Sequence, residues 1–164
     1  MVVEKVEQSM IEHDVTERDV MIRNASITDY KALVRMEAQI FADCWSDKSI
    51  LETIQNSSTY CLIAEKRGEV VGYLLAYILA DEAEIARIAV AKECRRQGIG
   101  EQLLRVLRND CLGKGYTKLL LEVRKSNLVA QAFYQSKGFV IDGARPNYYH
   151  NPTEDAVLMS YKIN

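Results

Sequence analysis

Arg95-Arg96-Gln97-Gly98-Ile99-Gly100 lies between an apolar run that ends at Val90 and an amphipathic run that begins at Ile99. Glycines at this junction let the chain turn sharply and let a ligand approach main-chain N–H groups with no Cβ in the way. The first N–H groups of the helix that follows lack partners, and the helix dipole favours an anion beside them. Such a turn can cradle a phosphate or pyrophosphate, and Arg95 and Arg96 add positive charge to it. Two phosphate motifs do not match. A P-loop requires Lys and Ser or Thr after its last glycine, whereas Gly100 precedes Glu101-Gln102. A dinucleotide motif requires a third glycine where this chain has Leu103, and Glu122 only imitates its ribose-binding acid. A glycine turn that merely starts a helix is the plainer alternative.

Working outward from the turn, Ile99, Leu103, Val106, Leu107 and Cys111 fall on one helical face, and Gly113 and Gly115 close that helix. Upstream, Tyr60–Lys66, Val70–Leu79 and Glu84–Val90 read as three strands joined by turns too short for parallel crossovers. Earlier still, Val20–Asn24 reads as a strand. Helices are expected from Thr28 to about Phe41 and from Ser46-Asp47 to Gln55. Downstream, Lys118–Val123 is a Leu-rich strand, apolar on both faces and therefore central. Val129, Ala132 and Phe133 mark a helix ending near Lys137-Gly138, and Phe139–Ile141 and Ala156–Met159 supply the last strands. The expectation is one α/β (α+β) domain over residues 20–164, in the order β-α-α-β-β-β-α-β-α-β-β. Its mixed, mostly antiparallel sheet has about seven strands with about four helices packed on it. Residues 1–19 read as an N-terminal tail, with no role for His13.

Composition narrows the classes further. With 164 residues, 48% hydrophobic and 27% charged, the chain supports one ordinary core. A net charge of -2 gives no basic footprint for direct nucleic-acid binding. No run approaches the roughly 20 apolar residues of a membrane span, and Met1–Asp19 has no apolar core of a secretory signal. Cys44, Cys61, Cys94 and Cys111 show no metal-ligand spacing, so free thiols, a cytoplasmic location and no metal are expected.

Ile88-Ala89-Val90 followed by Arg96-Gln97-Gly98-Ile99-Gly100 resembles the acetyl-CoA-binding segment of the GNAT (Gcn5-related N-acetyltransferase) superfamily. Leu121–Asn127, Ala132-Phe133-Tyr134 and Lys137-Gly138-Phe139 resemble the same family in the same order. Arg145–Tyr149 with Glu154-Asp155-Ala156, and Phe41 with Trp45-Ser46, resemble its RimI- and Ard1-like protein N-terminal acetyltransferases. The resemblance spans Val20 to Ile163 and implies acetyl-CoA as cosubstrate, held between two splayed central strands. Ile88, Ala89 and Val90 would offer main-chain groups to it. Arg95, Arg96, Gln97, Gly98, Ile99, Gly100 and Glu101 would form the pyrophosphate turn. His150 stands where the RimI pattern often has proline.

Acetyl transfer to an amine needs a base for the amine, donors for the thioester oxygen and an acid for the departing thiolate. A carboxylate at Glu122 inside Leu119–Val123 is costly to bury without a use. An ion pair with Arg87 or Arg124, or a solvated strand end, would also explain it; the resemblance implies the proton acceptor. Tyr134 sits one step from Phe133, so it can face a cleft while Phe133 faces the core. It is an ordinary sheet-covering tyrosine or, as the resemblance implies, the acid. Asn127 suits a helix cap and a pantetheine contact equally. Phe41, Trp45, Tyr148 and Tyr149 could wall a groove for a peptide N-terminus, the last two from a Pro146–Pro152 loop. The implied acceptor is a protein N-terminus, with a ribosomal protein among the candidates, and the enzyme a monomer or homodimer. A small amine, polyamine or lysine side chain is the rival acceptor, kept open by Asp43, Asp47, Glu154 and Asp155. A silent CoA-binding module is the third reading, disfavoured because a pure binder has no use for an acid and a base.

Overall fold

The computed structural model describes residues 20–164, so the tail at 1–19 and His13 lie outside the described residues. Strand β1 (Val20–Asn24) leads through a 3-10 turn (Ile27–Asp29) into α1 (Tyr30–Ile40) and α2 (Asp47–Gln55). The meander β2 (Thr59–Lys66), β3 (Glu69–Leu79) and β4 (Glu82–Val90) follows, then α3 (Ile99–Gly113) and β5 (Lys118–Arg124). The chain closes with α4 (Leu128–Ser136), β6 (Val140–Tyr149) and β7 (Glu154–Lys162). The expected element order and the mixed seven-stranded sheet are both present.

The sheet runs β1-β2-β3-β4-β5-β7-β6, and its one parallel contact joins β4 to β5. That contact is short. It begins at Glu82↔Lys118 and stops at Ile85↔Leu121, although both strands continue. Beyond it, β4 pairs with β3 as far as Gly72↔Val90, and β5 pairs with β7 as far as Arg124↔Ala156. Leu75 pairs with Arg87 and Ala76 with Ile85, so Ala86 is an extra residue in β4. Such a bulge bends its strand and sharpens the local twist. Here it turns β4 away from β5 where their ladder ends, and the sheet opens into a V.

Apolar residues are buried on both sheet faces. Leu103, Leu104, Leu107 and Cys111 of α3 pack with Leu119, Leu121 and Val123 of β5 on one side. Leu33 and Met36 of α1 and Ile50 of α2 pack with Ile63, Tyr73 and Leu75 on the other. Ser46 caps α2 through its Oγ, which accepts from the Ser49 N–H at 3.2 Å.

Three local expectations change. Strand β5 is central but buried on one face only, since Leu120 and Glu122 are half-buried while Leu119, Leu121 and Val123 are buried. In α4, Val129 is 84% exposed and Ala132 is exposed, so the buried stripe runs through Ala130, Phe133 and Tyr134 instead. Strands β6 and β7 are longer than their apolar cores, because antiparallel pairing continues through polar residues to Tyr149↔Glu154. Tyr148 and Tyr149 therefore end a strand and do not lie in a loop.

Candidate active site

The parted strands enclose a cavity of about 140 Å³. Ala86, Arg87 and Ile88 line it from β4, Glu122 from β5, and Asn127 and Tyr134 from the α4 side, with Phe41 and Tyr149 beside them. The two residues singled out for proton transfer thus reach one cleft from neighbouring elements.

Glu122 lies one residue past the last β4–β5 pair, Ile85↔Leu121. Its side chain is 15% exposed, and Oε1 sits 2.9 Å from Arg145 Nη2 on β6. Neither Arg87 nor Arg124 is its partner, contrary to one sequence alternative. Arg124 instead meets Glu154 at 3.1 Å and stacks on Tyr149 at 4.4 Å, whereas Arg87 meets Glu37 at 3.0 Å. Arg145 is 55% exposed, so its grip on Glu122 is that of a surface pair and is readily exchanged. The Tyr148 hydroxyl is held above its usual pKa, first by hydrogen bonding to Glu122 and then by burial. Glu84 on β4 is also raised, first by burial and then by the Glu122 charge. Two carboxylates therefore share this side of the opening.

Tyr134 is 5% exposed, packed edge-on against Phe133 at 5.2 Å and Phe139 at 5.4 Å. Phe133 is the less buried of the neighbouring pair, the reverse of the sequence expectation. It lies over Gly100, where a Cβ would come 3.5 Å from its ring. Burial pushes the Tyr134 hydroxyl well above the ordinary phenol range, so it stays protonated. A neutral phenol in a largely water-free wall can donate a proton but does not lose one unprompted.

The glycine turn has the geometry its sequence demands. Arg96 (φ 60°) and Gly98 (φ 76°) are left-handed, and Gly98 starts α3. The first α3 bond runs from the Gln102 N–H to the Gly98 oxygen, which leaves the earlier N–H groups facing outward. The side chains divide their tasks. Arg95 Nε donates to the Val90 oxygen (3.0 Å) and Gln97 Nε2 to the Glu93 oxygen (3.2 Å), both tightening the turn. Glu101 Oε2 pairs with Lys137 Nζ at 2.8 Å and thereby joins α3 to the end of α4. Ala89 is buried beneath the α1 side, while Ile88 and Val90 pack on the α3 side. Asn127 caps α4, its Oδ1 accepting from the Ala130 N–H at 3.1 Å, and also lines the cavity.

Among the aromatic residues singled out in the sequence, Trp45 stacks on Tyr77 (6.2 Å between centroids) and Tyr148 meets Tyr149 edge-on at 5.1 Å. The Tyr149 hydroxyl is pushed up to about 12, chiefly by burial. Sequence reasoning missed Glu84, Tyr77 and Arg145 here, and it gave Arg87 only as an alternative partner for Glu122. A period-2 strand pattern shows that such residues alternate, but not which cleft they meet. Two of the four thiols are buried in the core. Burial pushes Cys61 up to about 12 and Cys111 up to about 11, which leaves both unreactive.

A family model described as Acetyltransferase (GNAT) family matches residues 30–139. A relative from Bacillus subtilis is 37% identical over 144 residues, covering 87% of this chain and 95% of its own length. The crystal structure of the ribosomal-protein-S18-alanine N-acetyltransferase from Escherichia coli superposes with a TM-score of 0.82 at 32% identity, covering 88% of this chain and 94% of that one. Ard1 from Thermoplasma volcanium gives 0.83 at 28% identity, covering 89% and 99%. With a V-shaped opening at its one parallel contact and these relatives along most of its length, the chain belongs to the GNAT family and is an N-acetyltransferase.

Proposed function

We propose that the protein transfers the acetyl group of acetyl-CoA to the free α-amine of a protein N-terminus. The observation that carries this reading is the meeting of Glu122 and Tyr134 at one cleft, where β4 and β5 part. The residues present fit acetyl-CoA. The outward N–H groups at Gly98–Glu101 suit a pyrophosphate, Asn127 suits the pantetheine amides, and β4 beyond its pairing with β5 has main-chain groups to offer the thioester. Arg96 adds positive charge to that turn, while Arg95, Gln97 and Glu101 hold its shape.

In this reaction Glu122, acting directly or through one water, takes a proton from the incoming ammonium. The amine attacks the thioester carbon, the carbon–sulfur bond breaks, Tyr134 gives its proton to the departing sulfur, and the second proton shed by the nitrogen restores the Tyr134 phenol. An α-amine has a pKa of about 7.7–8.0 against about 10.4 for lysine, so a modest base suffices. Phe41, Trp45, Tyr148 and Tyr149 form the wall against which the first residues of the acceptor pack. The Escherichia coli relative is named for alanine of ribosomal protein S18, so a ribosomal N-terminus heads the candidate acceptors. Glu84 beside Glu122 favours a cationic acceptor, which makes a polyamine the second reading.

The test is acetyl-CoA consumption with short peptides of varied N-termini, run beside Glu122→Gln and Tyr134→Phe. Free α-amines should react and blocked ones should not, and each variant should lose about 10²-fold or more in kcat while still binding CoA. Turnover of polyamines but of no peptide would remove the N-terminal assignment.

A further inference from the structure

We propose that Glu37 is a positioning residue for acceptor binding, acting through Arg87 to hold the Phe41–Trp45 wall against β4. The inference rests on the acetyltransferase reading for what the wall does, but not for how the wall is held.

Glu37 lies in the last turns of α1 and is 1% exposed, an expensive place for a carboxylate without partners. It has three. Arg87 Nε donates to Oε1 at 3.0 Å, the Trp45 N–H donates to the same oxygen at 3.1 Å, and the Tyr73 hydroxyl donates to Oε2. Arg87 carries the connection onward, its Nη2 donating to the Asp43 main-chain oxygen at 2.9 Å. Its guanidinium carbon lies 4.5 Å from the centre of the Phe41 ring and 5.3 Å from that of Trp45. Both aromatics of the wall thus pack on one cation, which one buried anion fixes.

The segment between α1 and α2 has no regular structure apart from a turn at Ala42-Asp43. Two of its fixings to the rest of the molecule are therefore the Trp45 bond to Glu37 and the Asp43 bond to Arg87. The bulge at Ala86 is what brings Arg87 there. In an uninterrupted strand Arg87 would share a face with Ile85, which packs towards α3. The extra residue places Arg87 opposite Leu75, on the α1 face where Glu37 waits. One irregularity opens the sheet and also turns this guanidinium towards the acceptor wall. Glu37 itself does not line the cavity, whereas Arg87 and Phe41 do, so its influence passes through them.

Trp45 is the chain's single tryptophan, so its fluorescence reports the wall directly. The experiment measures acrylamide quenching of Trp45, thermal melting, CoA affinity, and peptide KM and kcat in Glu37→Gln, Arg87→Met, Arg87→Lys and Tyr73→Phe. The expected result for Glu37→Gln and Arg87→Met is cooperative melting and CoA affinity within about twofold of the parent. Trp45 should be quenched about twofold more readily, and peptide KM should rise about tenfold with kcat changed less than about threefold. Arg87→Lys keeps the charge but not the planar reach to both partners, so its KM should fall between. Unchanged Trp45 quenching in folded variants overturns the proposal. So does an equal loss in kcat and CoA affinity, which is what a merely structural ion pair would give. If Glu37→Gln does not fold, Arg87→Lys and Tyr73→Phe carry the same comparison. If the parent protein acetylates no peptide, the reaction assignment falls, while the quenching result still decides how the wall is held.

Discussion

Glu122 and Tyr134 differ in how their surroundings prepare them. Glu122 meets an exposed guanidinium, whereas Tyr134 packs among aromatic rings in the cavity wall. The raised Tyr134 pKa has a kinetic consequence. As the proposed acid, Tyr134 keeps its proton through the alkaline range, so the rate should climb as the acceptor amine deprotonates near about pH 8 and stay level to about pH 10. A fall in the alkaline limb that Tyr134→Phe abolishes would show the phenol ionising in the working range and contradict its burial. Both residues stood out in the sequence, as a charge in an apolar strand and a polar tip beside an apolar helix stripe, and the family resemblance is what gave them proton-transfer roles. Their partners could not. Arg145 lies 23 residues from Glu122 in the chain, and only the pairing of β5 and β6 with β7 brings the two together.

At the scale of elements, the turn and the helix it starts were readable because their chemistry is local. Gly98 is left-handed with open space where a Cβ would stand, so Gly98→Ala should cost conformation more than packing. The penalty is about 1 kcal/mol, so Tm should fall by about 2–4 °C if the turn keeps its shape, and CoA Kd by calorimetry should rise about fivefold if the turn relaxes instead. Gly72 is the opposite case. A Cβ there would stand 3.0 Å from the Ala89 oxygen and 3.2 Å from Ile99 Cγ2, where β3, β4 and α3 meet. Gly72→Ala should therefore cost about 2 kcal/mol, or roughly 4–8 °C in Tm. A neutral melting temperature would mean that β4 yields where the structure shows it fixed. The bulge at Ala86 had no such signature. Ala86 has no special conformational need, and its role depends on how β4 registers with β3.

For the whole molecule, ion pairs tie the edge strand β1 to its neighbour β2 and to the 3-10 turn before α1. Arg23 on β1 meets Asp29 at 2.9 Å and Glu65 of β2 at 2.8 Å. Hydrogen bonding to Arg23 is the main reason that Asp29 lies below its usual value of 3.8 in the folded protein. A folded value below the unfolded one gives stability that is present above about pH 4 and is lost as pH falls further. Asp29→Asn should thus be less stable than the parent at neutral pH, and the gap should narrow in urea melts taken below about pH 4. A gap that stays constant across that range would assign the loss to packing or capping instead of charge. The sequence alone determined the order of strands and helices and the glycine turn before α3, and it singled out Glu122 and Tyr134 as candidates. These follow from periodicity, turn residues and misplaced polar groups, all of which act over a few residues. The tertiary structure decided where β4 leaves β5, which arginine meets which carboxylate, and that Glu37 and Arg87 hold the segment from Phe41 to Trp45. Those features depend on strand register and on groups such as Glu37 and Arg87, separated by 50 residues, that come together only when both faces of the sheet are covered.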